Sequence, residues 1–313
     1  APTPTTAEET VAVDEPEPTE APVEEATAPA EPVIGEFGEL PPAQIVSGGL
    51  TRELSLTYEL AVSPSDMPST APVYLLLWPQ RALEDVEAIA AGAGIDGLVE
   101  DLGGGNFQAI GSTGELYVSP TVVQYVSAVE APSGEVADDA TLASIAQTWL
   151  LDIGLVSGDV DSGTVVARDD EAGRAVVLFK PVQPSPLLAV TPSATVTLGS
   201  DGTILEANVR WPESYAGSDY GLRSGDELWN EVLAGEGSIE ADLSGVPGDG
   251  PVSGTVTVTA VSIAYSYAGS PAENEYLVPI VMYSGEAVLD DSGAIVPVSI
   301  YVPAVYGESA PSG

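Results

Sequence analysis

The sequence predicts an α+β protein: tandem repeats of one helix packed on a small antiparallel sheet, after a disordered N-terminal tether. Three observations predict it. An apolar stripe at helical spacing occurs three times, each closed by a glycine. Each stripe is followed by short β-prone runs joined by turns such as Ser200-Asp201-Gly202 and Asp290–Gly293, the pattern of consecutive antiparallel strands. Residues 1–42 carry 11 acids, no base and 9 of the 27 prolines. Such a segment cannot offset its ordering entropy by burying apolar surface.

Taken in order, residues 1–45 read as the acidic Pro/Thr/Glu-rich tether. The first repeat, 46–135, opens with a strand in LTRELSLTYELAV. A helix follows at 81–97, where Leu83, Val86, Ile89 and Ala90 share a face and Gly94 ends it; NFQAIG, ELYVS and TVVQYVSAV then read as strands. The second repeat, 136–215, starts with a helix striped by Leu142, Ile145, Ala146, Trp149, Leu150 and Ile153 and stopped by Gly154. The third, 216–313, has a helix in LRSGDELWNEVLAGEG with a Ser224–Glu227 capping box and Gly235 at its end. Its strands are long: TVTVTAVSIAYSYA, then the nearly unbroken apolar run from Tyr276 to Tyr283, then AIVPVSIYVPAVY.

Composition limits the chemistry. Forty-eight Asp and Glu face 7 Lys and Arg, a formal net charge of −41, and Lys180 is the one lysine. That field repels nucleic acid and anionic lipid and favours cations and basic partners. It suits a protein bathed in high salt, where screening acts within about 3 Å at 1 M; a surface protein from an organism with few Lys codons has the same balance. With no cysteine there are no disulfides or thiolates, and with no histidine there is no Ser–His or Cys–His pair and no ordinary zinc site. Gly103-Gly104-Gly105 lacks the Gly-Lys-Ser/Thr of a phosphate loop and reads as a turn. No cofactor and no metal is expected. No apolar run approaches the ~20 residues of a bilayer span. The first residue is Ala1, as in a processed exported chain whose anchor has been removed, so membrane attachment is expected only through an N-terminal anchor.

The candidate binding residues lie in the long C-terminal hairpin: Tyr265, Tyr267, Tyr276, Pro279 and Tyr283. Aromatic rings give contact area at low entropic cost, and a proline without an N–H belongs at a sheet edge or bulge. Two readings stay open, a docking surface and a capped sheet core. The change of alternation at Thr259–Ala260 predicts a bulge or strong twist. Two further readings involve carboxylates. Glycoside hydrolysis needs only two acids, but pairs such as Asp138–Asp139 and Asp290–Asp291 sit at turns and helix starts. GDVDSGT, 158–164, starts like a calcium loop and lacks its later ligands.

The helices ending in Gly-Ile or Gly-Leu, the helix LRSGDELWNEVLAGEG, and the strand pair VTVTAVSIAYSY and EYLVPIVMYSGEA together resemble PepSY-like and YycH/YycI-like extracytoplasmic proteins, over about residues 70–306. The resemblance implies a non-enzymatic, membrane-tethered regulator outside the cytoplasm. It also implies a protein partner at the cell surface, such as a sensor kinase or a peptidase. It supplies no catalytic residue. The chain departs from the YycH/YycI pattern in its acidity and in having a tether where that group has a transmembrane helix. The expectation is a non-catalytic, exported, surface-tethered binding or regulatory protein; a passive structural, adhesive or calcium-dependent surface protein is the alternative, and a carboxylate-only glycoside hydrolase the second.

Overall fold

The computed structural model describes residues 34–45, 52–63, 67–130, 132, 134–157, 159–248, 250–270 and 272–306. Most of the expected tether lies outside them. The α+β repeat expectation is overturned: the described residues are mostly β, with 47% strand, 13% helix and three helices among them, and their strands form two large sheets.

The first sheet shows why separate small sheets do not form. Helix α1 (Leu83–Gly92) precedes strands β4 (Val99–Gly103), β5 (Asn106–Ile110), β6 (Gly114–Val118) and β7 (Val123–Ser127). Helix α2 (Asp139–Asp152) precedes β8 (Thr164–Asp169), β9 (Arg174–Phe179), β10 (Ser193–Gly199) and β11 (Ile204–Arg210). The free edges of the two sets, β7 and β11, pair antiparallel from Val123↔Val209 to Val126↔Glu206. One eight-stranded sheet results, in the order β4-β5-β6-β7-β11-β10-β9-β8. Joining the edges satisfies backbone groups that two isolated sheets would expose. Alternate residues such as Phe107, Leu116, Tyr125, Val177, Val196 and Val209 are buried with Val86, Ile89, Leu142 and Leu150 of the helices in a single core.

The second sheet is built on the C-terminal hairpin, β14 (Val252–Gly269) and β15 (Glu275–Leu289). At 18 and 15 residues, these strands are long enough to serve two sets of neighbours. At its base, β2 (Leu54–Leu60) runs parallel to β14, and β16 (Ile295–Pro303) pairs with β15, with β13 (Ser238–Ala241) beyond. At its tip, β1 (Ala43–Gln44) pairs with β14, and β3 (Thr70–Leu77) pairs with β15, with β12 (Ser214–Gly221) beyond. A register shift between Val258 and Ala260 falls where the alternation changes. Helix α3 (Gly225–Ala234) covers the base through Leu228 and Val232. Its capping box forms as the sequence predicts, Ser224 N–H donating to Glu227 Oε2 at 2.8 Å, and Gly235 ends it at φ +78°, a conformation that costs glycine little.

β3 and β12 are 137 residues apart between Leu77 and Ser214, yet they pair along their whole length, Leu77 opposite Ser214. The entire first sheet, residues 78–213, is therefore inserted between two adjacent strands of the second. Two connections form the neck: 78–82 leading out and 211–213 leading back. They stay together, Glu213 N–H donating to Leu77 O at 2.8 Å.

Candidate functional site

The structure brings Tyr265, Tyr267 and Pro279 to one face of the hairpin, with Tyr283 farther down that face under α3, and places Tyr276 on the other. Neither face is free. Tyr265, Tyr276, Pro279 and Tyr283 are buried and Tyr267 is half-buried. The Tyr265 ring lies 5.5 Å from Tyr74, and its backbone bonds to Pro186 O and Leu188 N. Tyr276 packs on Phe37 at 5.7 Å, from the segment 34–45 folded across the hairpin. Tyr283 packs on Trp229 at 5.5 Å, with a buried hydroxyl that has no hydrogen-bond partner. Pro279 sits where the neighbour of β15 changes from β3, whose pairing ends at Leu277 of β15, to β16, whose pairing begins at Ile280 of β15. Its missing N–H falls at that break, which explains a proline inside a central strand. These residues are the sheet's core in this fold.

The hairpin tip holds a pair that sequence reasoning missed. Glu275 is 2% exposed and ion-pairs with Arg210 from the end of β11, while the Tyr267 hydroxyl donates to the same carboxylate oxygen. The Arg210 guanidinium lies 5.4 Å from the Trp78 ring and 5.6 Å from the Tyr267 ring. Burial, followed by the bond to Glu275, pushes the Tyr267 phenol up to about 12. The cluster rivets the inserted sheet to the hairpin. An acid placed directly before the apolar run Tyr276–Tyr283 is the one sequence signal for it.

Beside this rivet the neck encloses a cleft of 460 Å³. Its apolar wall comes from Ile89 on α1, Ile153, Leu155 and Val156 after α2, and Trp211. Trp211 is oriented by its Nε1–H, which donates to Ser157 Oγ at 3.2 Å. Its charged groups are Arg81, Asp85 and Glu213, and Gln80 and Ser157 also line it. Asp85 uses Oδ2 to accept from Ala82 N–H at 2.8 Å at the start of α1. Burial pulls the Arg81 guanidinium below its ordinary value, and Asp85 and Glu213 pull it back up. Among the described residues Arg81 makes no hydrogen bond and no ion pair within 4.0 Å. The sequence does mark both neck strands: each carries Trp-Pro, at Trp78-Pro79 and Trp211-Pro212.

The face of the first sheet opposite its helices is open. Register places Gln108, Tyr117, Gln124, Asn208, Thr195 and Leu178 in one row across six strands. None is charged. At about 4.8 Å per strand the row spans roughly 24 Å. The next row contains Ile110 and Val126, which are 57% and 50% exposed, with Glu115 and Glu206 as its acids. A shallow groove of 270 Å³ runs over Gln124, Thr195 and Asn208.

Among the described residues, no group of three or more Asp or Glu is placed to hold a metal ion. In the loop that starts like a calcium site, Asp161 accepts from the backbone N–H groups of Gly163 and Lys180, both at 3.1 Å. It closes a turn. No described helix is long and apolar enough to cross a membrane.

No family model matches the chain, and no curated protein matches it. Solved structures that match the chain include an uncharacterized protein from Eubacterium rectale, at 9% identity and a TM-score of 0.43, covering 83% of this chain and 91% of that one. Another is the C-terminal domain of YpeB from Bacillus megaterium, at 11% identity and a TM-score of 0.34, covering 72% of this chain and 98% of that one.

Proposed function

We propose that this chain is a non-catalytic, exported binding or regulatory protein, tethered at the cell surface, that acts by contact with a protein partner. The observation that carries the reading is the open face of the first sheet. On a chain of net charge −41, that face presents a row without charge over six strands, with Tyr117 exposed near its middle and Val126 exposed in the adjoining row, between Glu115 and Glu206. Depletion of charge around aromatic and apolar side chains marks the centre of protein interfaces. The PepSY- and YycH/YycI-like reading accords with this role, with a sensor kinase or a peptidase as partner. The acid surface around the face repels nucleic acid and steers basic surfaces towards it.

The test places a photo-crosslinking amino acid at Val126 of the full chain in its host, with Val288 on the other sheet as control. One envelope protein is captured from Val126 and not from Val288. Purified, it binds the Tyr117→Ala/Val126→Arg variant at least about tenfold more weakly. Equal capture from both positions, or an unchanged Kd for the variant, refutes the assignment.

A further inference from the structure

The neck cleft has the features of a small-molecule site. Its 460 Å³ lies within the roughly 300–1,000 Å³ usual for such sites, and it sits at a domain junction, as they often do. Its wall combines an apolar patch with polar groups, three of them charged. Their signs restrict the ligand. Arg81 is half-buried and has no direct partner, although Asp85 and Glu213 line the same space. All three stand around the cleft without closing on one another within 4.0 Å, the limit for an ion pair. A plain anion would satisfy Arg81, yet it would face two carboxylates and the field of a −41 chain. A plain cation would face the guanidinium. A neutral molecule would leave the desolvated guanidinium without its hydrogen bonds, a cost that disfavours binding. A molecule carrying both charges meets neither objection. Glu213 and Arg81 come from the two separate neck strands, and Asp85 Oδ2 is already engaged at the helix start.

We propose that the neck cleft binds a small zwitterion with an apolar side group, an α-amino acid or short peptide. Its carboxylate lies on Arg81, its ammonium on Glu213, and its side group against Ile89, Ile153 and Trp211. This assignment does not depend on the protein-contact reading, whose face lies on the strands of the first sheet away from the helices.

Calorimetric titration of the full chain tests it. The probes are L-leucine and glycyl-L-leucine, to about 10 mM. Isovalerate and isoamylamine, each carrying one of the two charges, serve as controls. At least one zwitterion binds saturably, and both controls bind about tenfold more weakly or worse. Arg81→Gln and Glu213→Gln each weaken the zwitterion by about tenfold or more. Ala88→Trp, introduced at an exposed helix position beside the cleft, blocks it while circular dichroism stays unchanged. The proposal is overturned if neither zwitterion gives saturable heat, if the single-charge controls bind as well, or if folded Ala88→Trp binds normally.

Discussion

Replacing Glu275 by Gln should weaken the attachment of the inserted sheet out of proportion to the size of the change. The substitution keeps shape and hydrogen-bonding capacity and removes one charge. That charge sits on a side chain only 1% exposed, opposite an Arg210 side chain that is 24% exposed. Removing one partner of a fully buried pair costs about 3–5 kcal/mol, because the other charge stays desolvated. Arg210 retains some water and the faces of Trp78 and Tyr267, and the Gln amide still accepts from Tyr267. The expected loss is therefore about 2–3 kcal/mol. Urea denaturation at fixed salt, followed by tryptophan fluorescence and by hydrogen exchange of the hairpin tip, measures it. Arg210→Met in the Glu275→Gln background should recover part of the loss, because both charges are then gone. A Glu275→Gln loss below about 0.5 kcal/mol, or a double variant less stable than either single one, would show that the pair is not the rivet described here.

Tyr283→Phe should be neutral or stabilising by up to about 1 kcal/mol, because the deleted hydroxyl is buried without a partner and its phenol is pushed up to about 12 chiefly by burial; a urea midpoint that falls clearly would refute this. Asp138→Ala should destabilise at neutral pH, with a gap from wild type that closes in acid. The Asp138 carboxylate accepts from Thr141 N–H at 3.0 Å and Thr141 Oγ1 at 2.7 Å, which hold it below the ordinary range. Its contribution is complete above the unfolded value of about 3.9 and is lost as pH falls through the lower folded value. Urea midpoints of both proteins at high salt, taken from pH 7 down to about 3, measure the gap, and a gap unchanged at the acid end would refute the assignment.

The sequence is legible wherever structure is decided locally. Ser224 and Glu227 sit at the spacing of a capping box, and Thr259 breaks an alternation, so both features can be read without a partner strand. Pro279 is legible in part: its missing N–H demands a gap in the ladder, and the gap exists inside the sheet where β3 gives way to β16. What stays hidden depends on pairing across distance. Nothing near Val123 or Val209 says that they face each other, so two four-stranded sets read as two sheets. Nothing near Leu77 announces Ser214. The tyrosines of the hairpin read as surface or as core, because what buries them lies far along the chain: residues 34–77, the loop at 186–188 and, for Tyr283, α3.

The insertion also changes where function should be sought. A long hairpin with an aromatic tip looks like an arm until its neighbours are known. Here its length serves two sets of strands, and its tip is the mount for another sheet. The charged groups follow that division. Arg210 is spent on Glu275, Arg223 on Glu231, and Arg168 on Asp139 and Asp170. Lys180 donates to Leu187 O, and Arg52 to Val246 O and Gly250 O. In a chain with 7 basic residues against 48 acids, these cations hold backbone or carboxylate in place. Arg174 is exposed, whereas Arg81 is half-buried and faces a cleft instead of a partner. A scarce cation kept partly out of water without a bond is costly unless something completes it, and the neck is where that completion should be measured.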